Sequence, residues 1–363
     1  MSGKIRLGVF CGGKSAEHEV SLLSAKSVIA ALDKDKYIIT IIGIDKDGHW
    51  YHLDNNKPFL YSDDPAKICI NIKGRHLAIQ PGDGQILEIL DDSITEIEID
   101  VAFPVLHGPF GEDGTVQGLL KISEIPFVGA DVLGSAVGMD KVAMKKLLEA
   151  DNVPVSAYVA FNKGDKIVYE QIVEKLGLPL FIKPANMGSS VGVNKATDED
   201  SFWFAIHDAF KYDRKILVEE FIDGREIECS VLGNEYPRAS LPGEIAVSKE
   251  FYSYDAKYLS ADGAKLLIPA PLDEAVTAAI RKLAVKAYKA LFCEGLGRMD
   301  FFYTKDGRIL VNEINTLPGF TKISMYPKMW EATGLSYSHL LDELVDLALK
   351  RARGEQQKQP SVK

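Results

Sequence analysis

Residues 297–315 read GRMDFFYTKDGRILVNEIN. Apolar and aromatic residues flank the turn Lys305-Asp306-Gly307, which predicts two strands joined as a hairpin. Because side chains alternate along a strand, Glu313 and Asn315 share one face. Pairing through the turn brings Asp300 onto the same face. The hairpin therefore presents two carboxylates and an amide side by side.

This face has the composition of a metal and phosphate site. Carboxylate and amide oxygens suit Mg²⁺, which usually keeps waters and phosphate oxygens as further ligands. Arg298, two residues before Asp300, adds a fixed positive charge. The alternative is an exposed hairpin with ordinary surface charges. Four converging polar groups, followed at once by the segment 316–320 (TLPGF), favour a functional site.

A second cluster lies at residues 181–193, FIKPANMGSSVGV. The pattern predicts a strand ending in Lys183, a turn rich in Gly and Ser, and another strand at 191–193. Backbone N–H groups in such a turn can hold phosphate, and a lysine can neutralise it. The alternative is an ordinary turn between two strands.

A third cluster lies at residues 216–222, ILVEEFI, with Glu226 four residues further on. This is a strand whose outer end becomes acidic. A flat apolar slot with acceptors at its rim is a common way to bind adenine and ribose hydroxyls. Taken alone, the segment is equally a strand that reaches solvent.

The pattern of strand and helix signals changes along the chain. Residues up to about 106 alternate strand and helix signals, which predicts a mostly parallel sheet with helices on both faces, although 55–99 fits no clear pattern. The middle predicts a small α+β lobe with antiparallel strands. The polar, aromatic stretch 247–265 predicts a long functional loop. We expect three domains, 1–138, 139–222 and 223–363, of α/β and α+β class.

Residues 8–15, GVFCGGKS, match the phosphate-loop pattern GxxxxGK[ST]. The match is physically poor because Val9 and Phe10 complete an apolar strand, which leaves too few residues to wrap a phosphate. A tight glycine turn from strand to helix explains the segment better. A phosphate-loop NTPase centred on Lys14 is therefore a disfavoured alternative.

Composition limits the classes of partner. The 363 residues carry a formal net charge of −10, which argues against broad nucleic-acid binding. No apolar run reaches the roughly 18 residues of a membrane span. The four cysteines are scattered without metal-ligand spacing, and no signal peptide is apparent, so we expect a cytoplasmic protein in a reducing compartment.

Taken in order, the three clusters resemble the ATP-grasp superfamily. Three further segments resemble the D-alanine–D-alanine ligase family: 11–21 (CGGKSAEHEVS), 106–114 (LHGPFGEDG) and 315–321 (NTLPGFT). The similarity covers about residues 4–350. It implies a three-domain ATP-grasp architecture, with a parallel-sheet N-terminal domain. It also implies an ATP-dependent ligase that joins two D-alanines through an acyl phosphate to supply a peptidoglycan precursor.

The resemblance also implies roles for individual residues. At the substrate site these are Glu17 and His107 for the first D-alanine, Arg298 and the Gly319 N–H for the oxyanion, Ser324 for the second carboxylate, and Ser189 and Tyr258, which with Glu17 would latch the loop 247–265. At the nucleotide these are Lys141, Lys183, Glu219, Glu220, Phe221, Ile222, Glu226 and Lys257. Two Mg²⁺ ions, replaceable by Mn²⁺, would bind Asp300, Glu313 and Asn315. Amide-forming members carry tyrosine at position 258, whereas members accepting D-lactate commonly carry phenylalanine.

Several alternatives remain at this point. The alternative for His107 is a structural core histidine at the end of a strand. Another ATP-grasp ligase with a different carboxylate and amine, or a non-catalytic protein that binds D-alanine, would fit the residues. The handedness of the substrate rests on the resemblance alone. A homodimer is usual among similar proteins, and the expected partners are small molecules.

Overall fold

The computed structural model describes residues 3–72, 75–82, 84–247 and 264–358. Lys257, Tyr258 and most of the predicted loop 247–265 lie outside these residues. Among the helices described, none has the length and apolar character needed to cross a bilayer. The strands form three large sheets and one two-stranded sheet.

The first sheet is mixed. Its region contains β1 (Ile5–Gly12), α1 (His18–Ala31), β2 (Tyr37–Ile44), β3 (Trp50–His52), β4 (Phe59–Leu60), β5 (Cys69–Ile70), β6 (His76–Gln80), β7 (Gln85–Ile89), β8 (Ile94–Ile97) and β9 (Val101–Val105). The strand order is β8-β7-β6-β3-β2-β1-β9, and β4 pairs with β5. Among the strands described in this sheet, only β1, β2 and β9 run parallel.

The prediction of a mostly parallel first sheet is therefore correct for its buried centre and wrong for the rest. Strands β3, β6, β7 and β8 pair antiparallel. They are short, and many of their side chains are partly exposed, so they lack the continuous apolar runs that reveal buried parallel strands. Most of the antiparallel part comes from 55–99, the region that fitted no pattern.

The second sheet confirms the predicted antiparallel lobe. It follows α2 (Thr115–Ile122), α3 (Val132–Met139) and α4 (Lys141–Ala150), and its region contains β10 (Tyr158–Asn162), α5 (Tyr169–Leu176), β11 (Leu180–Pro184), β12 (Asn194–Ala196), α6 (Glu199–Tyr212) and β13 (Lys215–Glu220). The order is β10-β13-β11-β12, and every pair is antiparallel. The strand predicted at 191–193 is wrong: these residues continue the turn, in which Ser189 and Ser190 have φ of 52° and 60°.

The third sheet carries the hairpin. Its elements are β14 (Gly224–Leu232), β15 (Arg238–Ala239), β16 (Gly243–Val247), β17 (Ala264–Leu267), α7 (Glu274–Ala290), β18 (Leu296–Thr304), β19 (Ile309–Asn315), α8 (Met325–Ala332) and α9 (Tyr337–Lys358). The strand path is β17-β16-β14-β18-β19, with β15 paired to β14. The predicted hairpin is confirmed as β18 and β19.

Two apolar cores hold together the elements that carry the predicted site residues. One joins the face of the first sheet and α1 to Leu317, Phe320 and the C-terminal helices. The other joins the third sheet to α7 and to Met144 and Leu148 of α4. Since α4 buries its apolar face in the second core, its lysine-bearing face is directed toward the four-stranded sheet. The first core also contains Leu232 and Leu296 of the third sheet, and a small cluster of Val142, Ala185 and Leu217 joins α4 to the second sheet.

The match to a phosphate loop is not realised as one. Gly8 lies inside β1 and pairs with both β2 and β9. The strand continues to Gly12, and Lys14 is exposed, with its stem against Gly48. Gly13 alone remains between the end of this strand and Lys14, which is too little chain to wrap a phosphate.

Candidate active site

The hairpin face has the predicted arrangement. Asp300 lies opposite Glu313, and Arg298 opposite Asn315, with an irregularity in the pairing just after Asp300. Arg298 Nε and Nη2 donate to the two oxygens of Asp300 at 2.8 and 2.7 Å. Asn315 Nδ2 donates to Asp300 Oδ2 at 3.0 Å. The four predicted groups therefore lie on one face.

Glu228 belongs to the same cluster and escaped the sequence analysis. It lies on β14 directly opposite Asp300, is buried, and places Oε2 3.0 Å from Arg298 Nε. Arg298 is thus held by two carboxylates, one of which would remain if Asp300 turned to another cation. The sequence signal for Glu228 is a charged residue within the mostly apolar segment 227–232.

The two predicted phosphate lysines approach this face from other elements. Lys141, at the start of α4, donates to the Met187 carbonyl at 2.8 Å and lies 3.6 Å from Glu313 Oε2. Lys183, on β11, reaches Asn312 Oδ1 of β19 at 3.4 Å. Both are largely buried. Lys141 therefore borders a carboxylate of the hairpin, and Lys183 borders the amide next to it in sequence.

Asp300, Glu313 and Asn315 fit divalent cations of the Mg²⁺ kind. They offer two carboxylates and an amide from adjacent strands, which are the hard oxygen donors such ions prefer. Lys141 and Lys183 beside them suit the phosphate oxygens that commonly complete such a site. The chemistry of this donor set agrees with the predicted metal ligands.

Glu219 occupies a different position from the one the slot prediction required. Its side chain is buried, and its oxygens contact Lys145 Nζ at 2.6 Å and Lys183 Nζ at 2.5 Å. Burial favours the neutral acid, but the two ammonium charges outweigh it and lower the pKa of Glu219 to about 2. Glu219 is thus an ionised internal partner of lysines, and its carboxylate does not lie at a solvent rim.

The other residues of the predicted adenine slot lie near the outer end of β13. Phe221 is 39% exposed, lies 6.0 Å from Phe181 between ring centroids, and has Lys195 Nζ over its ring at 4.8 Å. Glu220 accepts a hydrogen bond from the Ala157 N–H at 2.7 Å. Ile222 is buried and Glu226 is exposed. An exposed aromatic ring beside a cation is compatible with a stacked base.

Glu17 and Ser189 meet as predicted, although 172 residues separate them. Ser189 Oγ donates to Glu17 Oε1 at 2.5 Å. Gly188 and Gly108 border the same carboxylate: a Cβ on them would lie 3.4 and 3.0 Å from Glu17 Oε2. The Gly/Ser turn of the second sheet is thereby joined to the first helix, and Tyr258, the third expected member, lies outside the described residues.

His107 holds the turn that contains Gly319. Its Nδ1–H donates to the Leu317 carbonyl at 3.0 Å, and its Nε2 lies 3.3 Å from Ser24 Oγ, which also accepts the Phe320 N–H at 3.2 Å. Burial lowers the pKa of His107, against the opposing charge of Glu17, so the ring is neutral. His107 therefore has the structural role left open above and also lies near Glu17.

Gly319 and Ser324 lie together beyond this turn. A Cβ on Gly319 would come within 2.8 Å of Ser324 Oγ, so a side chain at this position would displace the hydroxyl. Ser324 Oγ accepts the Thr321 N–H at 3.0 Å. The backbone N–H and the hydroxyl that were predicted to bind different parts of the substrate are thus neighbours.

Glu112 is a second acidic residue near Glu17, and the charges of the two side chains interact. Its Oε2 accepts the Gly108 N–H at 2.8 Å. Burial and then the negative charge of Glu17 raise the pKa of Glu112 to about 8. Near neutral pH this carboxyl therefore keeps its proton, while Glu112 in an unfolded chain is ionised.

This difference predicts a pH-dependent stability. Between the ordinary pKa of about 4.5 and the folded value of about 8, the folded state binds the extra proton, so the free energy of unfolding falls as pH rises. Glu112→Gln is expected to flatten this dependence and to raise stability at pH 8 by about 1–3 kcal/mol. Urea unfolding at pH 5 and 8 measures it, with exposed Glu96→Gln as control. An equal change in unfolding free energy between pH 5 and 8 for the wild type and Glu112→Gln would contradict the assignment of a raised pKa to Glu112.

The chain matches one family along most of its length. Residues 6–130 match the family described as D-ala D-ala ligase N-terminus, and residues 147–346 match D-ala D-ala ligase C-terminus. The chain is 52% identical to the D-alanine–D-alanine ligase of Shouchella clausii over 363 residues, covering 99% of this chain and 98% of the relative. It is 46% identical over 352 residues to D-alanine–D-alanine ligase A of Escherichia coli K12, covering 96% of each.

Solved structures agree. The D-alanine–D-alanine ligase of Coxiella burnetii superposes with a TM-score of 0.85 at 40% identity, covering 98% of this chain and 96% of that one. The VanG D-Ala:D-Ser ligase of Enterococcus faecalis superposes with a TM-score of 0.83 at 38% identity, covering 95% and 100%. The predicted resemblance is confirmed, and the chain belongs to the D-alanine–D-alanine ligase family.

Proposed function

We propose that this chain is an ADP-forming ligase that joins two D-alanines to D-alanyl-D-alanine, a peptidoglycan precursor. Family membership over nearly the whole chain supports the reaction. The observation that carries the chemistry is the approach of two buried lysines to the hairpin: Lys141 reaches Glu313, on the face that also carries Arg298 and Asp300, and Lys183 reaches the neighbouring Asn312. This is an arrangement of charges suited to phosphoryl transfer next to an acyl group.

The first half of the reaction makes the carboxylate reactive. A carboxylate oxygen of the first D-alanine attacks the γ-phosphorus of ATP, the bond to the bridging oxygen breaks, and ADP leaves. Lys141 and Lys183 neutralise the phosphate oxygens, which is the main protein contribution to such a transfer. Asp300, Glu313 and Asn315 would hold two Mg²⁺ ions, replaceable by Mn²⁺, which supply further neutralisation of the transferred group.

The second half forms the amide. The amine of the second D-alanine attacks the acyl phosphate, and phosphate leaves with one oxygen of the original carboxylate. Arg298 and the Gly319 N–H stabilise the tetrahedral oxyanion, while Glu17 binds the ammonium group of the first substrate. Ser324 binds the second carboxylate. His107 lies beside the first substrate and fixes the turn that carries Gly319.

The remaining predicted residues bind nucleotide and close the site. Glu220, Phe221, Ile222, Glu226 and Lys257 contact adenosine or phosphate, and Glu219 contributes through Lys183. Ser189 and Tyr258, with Glu17, latch residues 247–265 over the site. Such closure excludes water, which would otherwise hydrolyse the acyl phosphate.

The wider organisation is part of the same proposal. The chain divides into an N-terminal domain (1–138), a central lobe (139–222) and a C-terminal lobe (223–363), each containing one of the three large sheets. It acts as a cytoplasmic homodimer on small-molecule substrates.

The test measures ADP release with Mg²⁺-ATP and one candidate substrate at a time, with mass detection of the products. D-alanine is expected to support turnover to the dipeptide, and L-alanine and D-lactate are expected to support none. ATP turnover that is independent of D-alanine would overturn the substrate. D-Alanine binding without ATP consumption would indicate a binding protein.

One alternative has a specific observation in its favour. VanG of Enterococcus faecalis, a D-Ala:D-Ser ligase, superposes nearly as well as the D-alanine–D-alanine ligase of Coxiella burnetii. Competition between D-alanine and D-serine in the same assay distinguishes the two. Dipeptide containing serine as the major product would select the alternative.

A further inference from the structure

Lys145 is a buried cation that the proposed reaction does not use. It lies one helical turn after Lys141 on α4, and none of its surface is exposed. Its Nζ lies 2.6 Å from Glu219 Oε1, donates to Ser156 Oγ at 2.9 Å, and lies 5.5 Å from the ring centre of Tyr158. Lysine is rarely buried completely unless it is paired. Since it has no exposed surface, Lys145 acts through Glu219.

Glu219 is shared between two lysines. One carboxylate oxygen contacts Lys145, and the other contacts Lys183 Nζ at 2.5 Å. Lys183 lies at the edge of this cluster, where it also reaches Asn312. A phosphate that binds Lys183 therefore shares the ammonium group with the carboxylate of Glu219 or draws it away from that carboxylate.

The cost of that exchange depends on what remains with Glu219. A buried carboxylate without a cation is strongly unfavourable, and it retains any nearby ammonium group. The two lysine charges together lower the pKa of Glu219 to about 2, so the group is ionised throughout the neutral range. With Lys145 on its inner oxygen, Glu219 keeps one charge partner when Lys183 moves away.

We propose that Lys145 is a positioning residue that neutralises Glu219 from the buried side. The ammonium group of Lys183 can then leave Glu219 and pair with a nucleotide phosphate. The ligand class that depends on this exchange is the nucleoside polyphosphate, since a nucleoside without phosphate does not engage Lys183. The inference rests on the proposed function, which places Lys183 at the phosphates of ATP.

The test compares dissociation constants for ATP and adenosine in the full chain, measured by protein NMR titration. In Lys145→Met, Glu219 loses its buried cation and keeps a neutral donor, the Ser156 hydroxyl at 3.3 Å, so it retains Lys183, and ATP is expected to bind at least about tenfold more weakly. Adenosine affinity is expected to be unchanged. Lys146→Met is the matched control, because Lys146 is the exposed neighbour on the same helix. Its ratio of ATP to adenosine affinity is expected to equal the wild-type ratio.

A double variant keeps the test decisive if Lys145→Met does not fold. Lys145→Met/Glu219→Gln removes both buried charges, and its preference for ATP over adenosine is expected to reach or exceed that of the wild type. Using the ratio cancels any effect of Glu219 on adenine binding. A wild-type ratio in Lys145→Met, or a lost preference in the double variant, would overturn the inference alone. A wild type that binds ATP no better than adenosine would instead overturn the proposed role of Lys183.

Discussion

Arg298→Lys is expected to lower kcat for dipeptide formation by about 10²–10³-fold, the usual effect of losing one oxyanion donor. Lysine keeps the charge, so Glu228 and Asp300 retain a cation, but it lacks the planar fork that contacts both carboxylates at once. ATP affinity is expected to change little. Steady-state kinetics and an ATP titration measure the two effects separately.

The matched control is Arg308→Lys. Arg308 lies on the same hairpin, is exposed, and pairs only locally with Asp306 at 2.9 Å in the part of the chain that the structure describes. Its replacement is expected to leave kcat and ATP affinity at the wild-type values. Arg298→Lys with a kcat near the wild-type value would show that the oxyanion is stabilised elsewhere.

Lys183→Met is expected to weaken ATP binding by about 10²-fold, because it removes a positive charge from beside the phosphates in a largely buried site. Lys14→Met is expected to leave ATP binding unchanged, because Lys14 is exposed and follows a strand that continues to Gly12. ATP titrations of both variants measure the difference.

The pair also decides between the two nucleotide sites that the sequence offered. Loss of ATP binding in Lys14→Met alone would contradict the account and support a phosphate loop. Thermal unfolding provides the control for folding, since Lys183→Met leaves Glu219 with Lys145 as its one charge partner among the described residues. A lowered midpoint with unchanged ATP affinity would give Lys183 a structural role only.

The parts of the site that depend on local pattern could be predicted from the sequence. Strand alternation places Glu313 and Asn315 together, and a turn signal pairs them with Asp300. The family resemblance, rather than spacing, joined Glu17 to Ser189 across 172 residues, and the structure brings these two side chains into contact. The rejected phosphate loop also follows from local physics, because Val9 and Phe10 are strand residues.

What escaped prediction depends on tertiary contacts. Glu219 has the sequence position of a rim acceptor, but the side chains on either side of it in space, Lys145 and Lys183, make it an internal ion partner. Ser24 bonds the turn at Phe320 across 296 residues, and nothing in its neighbourhood on α1 signals that contact. Strands β6 to β8 were missed because their half-exposed residues lack a continuous apolar run.

The central claim is that this site ligates D-alanine through an acyl phosphate. Its most direct test uses D-alanine labelled with ¹⁸O in both carboxyl oxygens, with mass analysis of the dipeptide and the phosphate released. The account predicts one ¹⁸O in phosphate for each dipeptide formed, because the carboxylate oxygen that attacks ATP leaves with phosphorus. Two results would contradict it. One is unlabelled phosphate together with ¹⁸O in AMP, and the other is unlabelled phosphate without any dipeptide.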